Sequence, residues 1–193
     1  MYMSGLTPFP KSHWDVLAPA MKKQARCHEV LKGHRPQGPF KHYWGEASRY
    51  VGDDRPFSLF LAMGIPFEVT DRISTEGWTF LSDFDARALD AKDMRVDPRR
   101  LVCRSGLENV SSEMRAVEES LTALWALKRD VIEAGLDVPY VVEEKPVVCA
   151  WYPSVNSVLL WNLSEEKEMF HLQCPQKAMP IEVDALDVAL VAL

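Results

Sequence analysis

The sequence lacks the features of a membrane protein or a secreted protein. No uninterrupted apolar stretch in its 193 residues approaches the roughly 20 that span a bilayer. The start, MYMSGLTPFPK, has no basic segment followed by an apolar run, as a secretory signal would. The four cysteines are spread singly along the chain, which favours reduced thiols over a disulfide framework. We therefore expect a soluble, cytoplasmic protein.

Basic residues are also few. The chain has 22 Lys and Arg residues against 28 Asp and Glu residues, which gives a net charge of -6. This sign is wrong for a protein that binds nucleic acid or an anionic membrane, so neither is expected as a partner. Apolar residues make up 47% of the chain, which is enough to form a sizeable core.

The motifs of common enzymes and cofactor sites are missing as well. No serine lies in a Gly-x-Ser-x-Gly setting, and no glycine-rich segment matches a phosphate loop or a dinucleotide fingerprint. Cys103, in LVCRSG, lacks the flanking glycines of a nucleophile elbow, which favours a buried structural thiol. The histidines near the start lack the short spacing of metal ligands; these are His13, His28, His34 and His42. We expect no metal and no cofactor.

The first part of the chain alternates between helical and strand patterns. A helical pattern begins at Ser12 and ends at Gly33. Pro19 implies either a kink or the start of a second helix, and we favour a second helix. Another short helix, KHYWGEASRY, is expected to follow. The segment DDRPFSLFLAMG predicts a short apolar helix that Gly64 closes. The longest helix is predicted from about Ser112 to Ala134, where apolar residues recur every three or four positions.

Three short apolar runs between these helical patterns predict strands, over Ile65 to Thr70, Trp78 to Leu81 and Leu101 to Arg104. This alternation indicates an α/β sheet covered by helices. Beyond Pro139 the chain has only β-rich runs separated by short turns, which predicts an antiparallel unit. We therefore expect two domains: residues 1–138, α/β with a helical, loop-rich N-terminal region, and residues 139–193, all β.

Candidate binding residues follow from this fold class. Ligands of an α/β sheet gather outside the carboxyl ends of its strands, and six polar residues follow predicted strands: Asp71, Arg72, Ser82, Asp83, Ser105 and Glu108. Helix capping explains Ser82 and Asp83 equally well. Trp44 and Arg49 belong to an aromatic cluster with flat apolar faces and polar groups that a sugar or a protein surface can use. Core packing is the competing interpretation of that cluster.

Three segments of the chain carry a resemblance to a known group of proteins. YWGEASRYVGDDRPFSLFLAMGIPFEVTD, GWTFLSDFDARAL, and VLLWNLSEEKEMFHLQ with the terminal LDVALVAL resemble the distal part of large glycoside-hydrolase-like proteins. In those proteins a catalytic (β/α)8 barrel precedes a glutamine-amidotransferase-like α/β domain, as in the trimerisation domain of some β-galactosidases, and a small β-sandwich. The resemblance covers residues 42 to 193 and implies a flavodoxin- or amidotransferase-like α/β domain followed by an antiparallel β-sandwich.

The resemblance also sets the functional expectation. Neither the catalytic barrel nor the amidotransferase nucleophile motif is present in these 193 residues, so no catalytic residue can be transferred. What is implied is a non-catalytic module that serves assembly or carbohydrate contact. Its partner would be a second copy in a homo-oligomer, a barrel-containing chain or a saccharide. Two alternatives stay open: a small carbohydrate-active enzyme that uses loop carboxylates, and a structural partner of a separate barrel-containing chain.

Overall fold

The computed structural model describes residues 11–46, 48, 59–89, 96–108 and 110–193. They belong to two compact units, Met1–His34 and Arg35–Leu193. In the first unit the described element is helix α1, Lys11–Leu31, which ends before Gly33 as predicted. The expected second helix at Pro19 was wrong, because α1 runs continuously through this proline. The cost of an interior proline, about 3 kcal/mol, does not break a helix of this length.

The second unit contains a five-stranded parallel sheet. Its strands lie in the order β2-β1-β3-β4-β5. They are β1 (Phe40–Tyr43), β2 (Phe67–Thr70), β3 (Trp78–Leu81), β4 (Leu101–Arg104) and β5 (Arg115–Val117). Helices α2 (Asp83–Ala88) and α3 (Leu121–Glu133) accompany the sheet, together with short 3-10 turns at Phe60–Ala62 and Pro98–Arg100. The predicted α/β sheet is therefore confirmed.

Two predicted helices of this region begin with strands instead. The helix expected over Lys41 to Tyr50 begins instead with strand β1, in which Phe40 and His42 are buried and both neighbouring strands supply hydrogen bonds. The long helix expected from Ser112 begins only at Leu121, because Arg115–Val117 pairs with β4 as a strand. The side chain of Ser120 caps α3 by accepting from the Ala123 amide, which fixes the helix start at this point. The helix expected before Gly64 lies largely outside the described residues.

The core of the parallel sheet is aromatic and aliphatic. Strands β1 and β3 contribute Phe40 and Phe80, which pack with Phe60 from the first 3-10 turn and with Leu124 and Leu127 from α3. The rings of Phe60 and Phe80 stack with their centroids 4.3 Å apart. Burial of these large side chains is the main force that holds α3 against the sheet.

Antiparallel strands form the rest of the chain, as predicted. They are β6 (Tyr140–Val141), β7 (Val147–Tyr152), β8 (Ser157–Asn162), β9 (Glu168–Gln173), β10 (Ala178–Val183) and β11 (Val188–Ala192). They form two three-stranded sheets, β10-β9-β6 and β11-β8-β7. Alternate residues of both sheets, such as Leu160 and Phe170, enclose one shared apolar core. No described helix has the length and apolar character needed to cross a membrane.

Gly64 joins the parallel and antiparallel parts of the second unit. Its amide donates to the Val147 carbonyl, and its carbonyl accepts from the Val141 amide, both at 2.9 Å. Its φ is +70°, and an added Cβ would lie 2.9 Å from the Val141 side chain, so only glycine fits there. Nearby, the buried Lys128 of α3 donates from Nζ to the Glu143 carbonyl oxygen. A domain boundary between residues 138 and 139 remains a prediction.

Candidate functional site

The candidate site lies at the carboxyl edge of the parallel sheet. Because its strands run in one direction, the segments that follow them meet at one edge. Strand β1 has β2 on one side and β3 on the other, so the strand order reverses beside β1. Ligands of open α/β sheets bind at such a reversal, next to the segments that follow the strands there. Three groups of side chains occupy this edge.

The first group surrounds a buried carboxylate between the ends of β1 and β3. Asp85 of α2 is only 2% exposed. Its Oδ2 accepts from Ser48 Oγ at 2.6 Å, from Ser82 Oγ at 3.0 Å and from the Gly45 amide at 3.2 Å. An added Cβ at Gly45 would lie 2.2 Å from the Asp85 carboxylate, so glycine is what allows this close approach. The carboxylate is fully engaged by the protein's own donors.

The second group is centred on Arg104, the last residue of β4. Its side chain is only 4% exposed and lies over the Phe80 ring, with the guanidinium carbon 5.5 Å from the ring centroid. Nη1 donates to Asp83 Oδ1 at 2.8 Å, and Nε donates to Glu119 Oε1 at 2.9 Å. The buried guanidinium is thus paired with two partly exposed carboxylates through charge-assisted hydrogen bonds.

The third group lines an open cleft of about 340 Å³ beside the ends of β1 and β2, whose lining residues are Arg35, Trp44, Glu68, Val69, Thr70 and Asp71. Glu68 also lies 4.0 Å from the ammonium of Lys41. The Thr70 hydroxyl accepts from the Arg72 amide at 3.1 Å, which fixes the turn that presents Asp71. The cleft therefore combines an indole, a guanidinium and two carboxylates. One of these carboxylates, that of Asp71, lies on a turn that a hydrogen bond holds in place.

Two groups that often perform acid-base or nucleophilic chemistry are inactive near this edge. Burial lowers the pKa of His42 in β1 from 6.5 to about 3, so its imidazole is neutral at physiological pH. Burial, with a smaller effect from the nearby Asp83 carboxylate, raises the pKa of the Cys103 thiol to about 11. A nucleophilic cysteine needs the opposite shift. Within the described ranges, no group of three His, Cys, Asp or Glu side chains could hold a metal ion.

The structure brings some of the predicted site residues together and separates others. Trp44 and Asp71 line the same cleft. Ser82 caps α2 and binds Asp85, while Asp83 pairs with Arg104, so both have structural contacts. Arg72, Ser105 and Glu108 lie on exposed turns. Arg49 lies outside the described residues, and ligand binding by any of the eight remains a prediction.

Sequence reasoning missed several residues of this edge. Arg104 ends a predicted strand, so the rule that selected Ser105 could have selected it as well. Asp85 follows Ser82 by three positions, which is the spacing of a capping contact and a usable signal. Glu119 follows β5 by two residues, but that segment was predicted as helix, so the same rule could not select it. Arg35 precedes β1 and so lies outside the rule.

Comparisons with known proteins add no family assignment. No protein-family model matches the chain, and neither a curated protein nor a solved structure matches it. The class of the protein is thus defined by the fold itself: a parallel α/β sheet with helices, followed by small antiparallel sheets.

Proposed function

We propose that this chain is a non-catalytic module that contacts carbohydrate through the cleft beside Trp44. We assign it a flavodoxin- or amidotransferase-like α/β domain and a small β-sandwich. The strand order β2-β1-β3-β4-β5 is that of flavodoxin-like folds, which supports the first assignment. The apolar core shared by two three-stranded sheets supports the second. The functional proposal rests on the side chains of the cleft.

The chemistry of the cleft suits a sugar. Trp44 is among the lining residues of the cleft, and an indole is a side chain on which the C–H face of a pyranose ring can stack. The carboxylates of Glu68 and Asp71 accept hydrogen bonds, the Arg35 guanidinium donates them, and sugar hydroxyl groups do both. A volume of about 340 Å³ falls within the range of small-molecule sites.

A non-catalytic role is supported by how three other acids of this edge are engaged. Glycoside hydrolysis needs one carboxylic acid that can give a proton to the substrate and a second carboxylate across the scissile bond. Asp85 is buried among three donors, and Asp83 and Glu119 are bound to Arg104. These acids serve the fold, which leaves the cleft with groups suited to binding.

A Trp44→Ala variant tests the binding proposal. We expect it to weaken the binding of neutral mono- and disaccharides at least tenfold, because the platform for the sugar ring is removed. Titration calorimetry with a saccharide panel measures this loss. Trp161→Ala, which removes an exposed indole from β8, is the matched control and should bind like the parent chain. Equal affinities of the Trp44→Ala variant and the parent chain would contradict the proposal, as would turnover of aryl glycosides that Glu68→Gln abolishes.

Helix α1 favours assembly as a second role of the module. Trp14, Leu17 and Met21 are exposed on it at spacings of three and four residues, which places them on one side of the helix. Residues 1–34 carry five basic and two acidic residues, although the whole chain has a net charge of -6. The basic apolar helix of one copy therefore complements the acidic remainder of a second copy.

Light scattering coupled to size-exclusion chromatography tests this role. We expect a discrete oligomer for the parent chain and a monomer for the double variant Leu17→Glu, Met21→Glu, because two buried carboxylates would oppose the contact. Val69→Glu, which adds a charge at another exposed apolar position, is the control and should keep the oligomer. A parent chain that is monomeric at all concentrations would exclude self-assembly.

A further inference from the structure

Strand β11 has an open edge. It pairs with β8 on one side, and no strand among the described residues lies on its other side. The Leu193 amide donates to the Asn156 carbonyl of the β8 side at 2.9 Å. In an antiparallel pair, positions that bond to the partner strand alternate with positions whose backbone groups face away from it. The amides and carbonyls of Leu190 and Ala192 therefore point out from the edge of the sheet.

Two other edges of the antiparallel sheets are covered by the chain itself. On β7, the outward carbonyls of Val147 and Trp151 accept from the amides of Gly64 and Gln37, both at 2.9 Å. On β6, the outward amide of Val141 donates to the Gly64 carbonyl, also at 2.9 Å. The backbone of the protein thus occupies both of these edges.

Strand β10 protects its outer edge in another way. The Cys174 amide donates to the Lys177 carbonyl in the hairpin between β9 and β10, so Pro180 lies at a position that faces away from β9. A proline there offers no N–H, and Glu182 adds a charge two residues later. Both devices keep a natural edge strand from pairing with a foreign strand. Strand β11, with the sequence VALVA, contains neither a proline nor a charged residue.

Both faces of β11 are apolar beside the open edge. Ala189 and Val191 pack against the core that the two antiparallel sheets share, and Val188 and Leu190 lie on the opposite face. On that face Val188 is paired with Trp161 of β8, which is 46% exposed. A strand added at this edge would meet apolar side chains on both of its faces, which suits β-branched residues.

The charge around this edge favours a basic partner. Residues 157–193 carry six Asp or Glu side chains and two Lys side chains. Of these acids, Glu182 lies on the outer edge of β10, and Asp184 and Asp187 lie just before β11. Lys167 pairs with Glu182 and Asp184, and an excess of negative charge is left. A second copy would bring the same acids and be repelled, whereas a segment with lysine or arginine would be attracted.

We propose that the open edge of β11 binds an extended basic segment of another protein, which adds to the three-stranded sheet as an antiparallel fourth strand. The backbone of the segment would bond to the outward amides and carbonyls of Leu190 and Ala192, which is recognition by strand addition. The antiparallel direction continues that of the sheet and brings the carboxyl end of the segment to Asp184 and Asp187. Lysine or arginine is therefore expected at that end. This surface is separate from the cleft beside Trp44.

Amide hydrogen exchange followed by NMR tests the proposal. The measurement uses the full chain with the double substitution of α1 described above, so that contacts through α1 do not interfere. Before a peptide is added, we expect the Leu190 and Ala192 amides to exchange about tenfold faster than the Ala189 and Val191 amides, because only the latter pair bonds to β8. The peptide VTVTVKK should then slow the exchange of Leu190 and Ala192 about tenfold. VTVTVEE, with the same strand-forming residues and the opposite charge, is the matched control and should bind about tenfold more weakly.

Variants at Leu190 test whether backbone bonds carry the binding. Leu190→Pro removes an outward amide without taking a bond from the ladder with β8, and we expect it to weaken the binding of VTVTVKK about tenfold. Leu190→Val keeps this amide and an apolar side chain, and should bind like the unsubstituted edge. The peptide VTPTVKK, with a proline at its centre, makes the same test without altering the protein and should also bind more weakly. Trp44→Ala should leave the binding of VTVTVKK unchanged, so the cleft and this edge can fail separately.

Three results would overturn the proposal. If the Leu190 and Ala192 amides exchange as slowly as their neighbours before a peptide is added, the chain itself covers the edge. If their protection rises with protein concentration in the absence of peptide, a second copy is the occupant. If VTVTVKK does not bind, or binds no more tightly than VTVTVEE, the edge does not select a basic segment.

Discussion

Acidification from pH 7 to pH 4 is expected to lower the free energy of unfolding by about 3 kcal/mol through His42 alone. The imidazole lies in β1 among three phenylalanine rings, with centroid distances of 5.4 Å to Phe40, 5.8 Å to Phe67 and 5.6 Å to Phe80. Burial there lowers its pKa from 6.5 to about 3. The contribution of the neutral imidazole to the free energy of unfolding is fully present above 6.5, its pKa in the unfolded chain. This contribution is lost as the pH falls toward 3, because in this interval only the unfolded chain takes up the proton.

Urea unfolding of the parent chain and of His42→Leu at both pH values isolates this effect. Carboxylates contribute to acid unfolding in both proteins, so the informative quantity is the difference between their losses of stability. The variant should lose about 3 kcal/mol less than the parent chain between the two pH values. His28→Gln, an exposed position on α1, is the control and should behave like the parent chain. Equal losses in the parent chain and His42→Leu would show that the imidazole does not titrate as expected.

Replacement of Arg104 by Met should destabilise the protein by about 1.5–3 kcal/mol, the range for lost hydrogen bonds to charged groups. The substitution removes the shared partner of Asp83 and Glu119 and leaves two like charges near one another at the end of β4. It also removes the contact between the guanidinium and the Phe80 ring. Arg104→Lys should lose less stability than Arg104→Met, because lysine keeps the positive charge. It should still lose some, because an ammonium cannot reproduce the two directed hydrogen bonds of a guanidinium.

Chemical denaturation at neutral pH measures both variants of Arg104. Arg99→Met is the matched control, since Arg99 forms an ion pair with Asp97 on the exposed surface and should give no measurable change. A loss of stability no larger than that of Arg99→Met would show that the ion pairs of Arg104 add nothing to stability.

Sequence patterns predicted those elements whose signals are local. Strand β4 was predicted at its exact residues because a short apolar run ends there in an arginine, and the Ser82 cap of α2 follows from its position before two aspartates. Strand β1 was missed because its extended form depends on pairing with β2 and β3, which come much later in the chain. The segment from Ser112 to Ser120 has apolar spacing that fits a helix, yet pairing with β4 makes part of it a strand.

The candidate site also has residues that local sequence patterns predict and contacts that they do not. The rule that ligands gather at strand ends selected Asp71, which lines the cleft together with Trp44. The contact between Asp85 and Gly45 joins residues 40 positions apart, and no local pattern encodes it. A cavity at one end of the antiparallel strands is lined by residues from four separate segments, so it forms only when the chain is folded.

Gly64 has a consequence for the local dynamics of the second unit. Its amide and its carbonyl bond to β7 and β6, so this residue forms a short hydrogen-bonded link between the parallel and antiparallel parts. Hydrogen exchange of the Gly64 and Val141 amides then requires this link to separate, because each amide is held by a carbonyl from the other part. Slow exchange at these two positions would therefore report on the cohesion of both kinds of sheet at once.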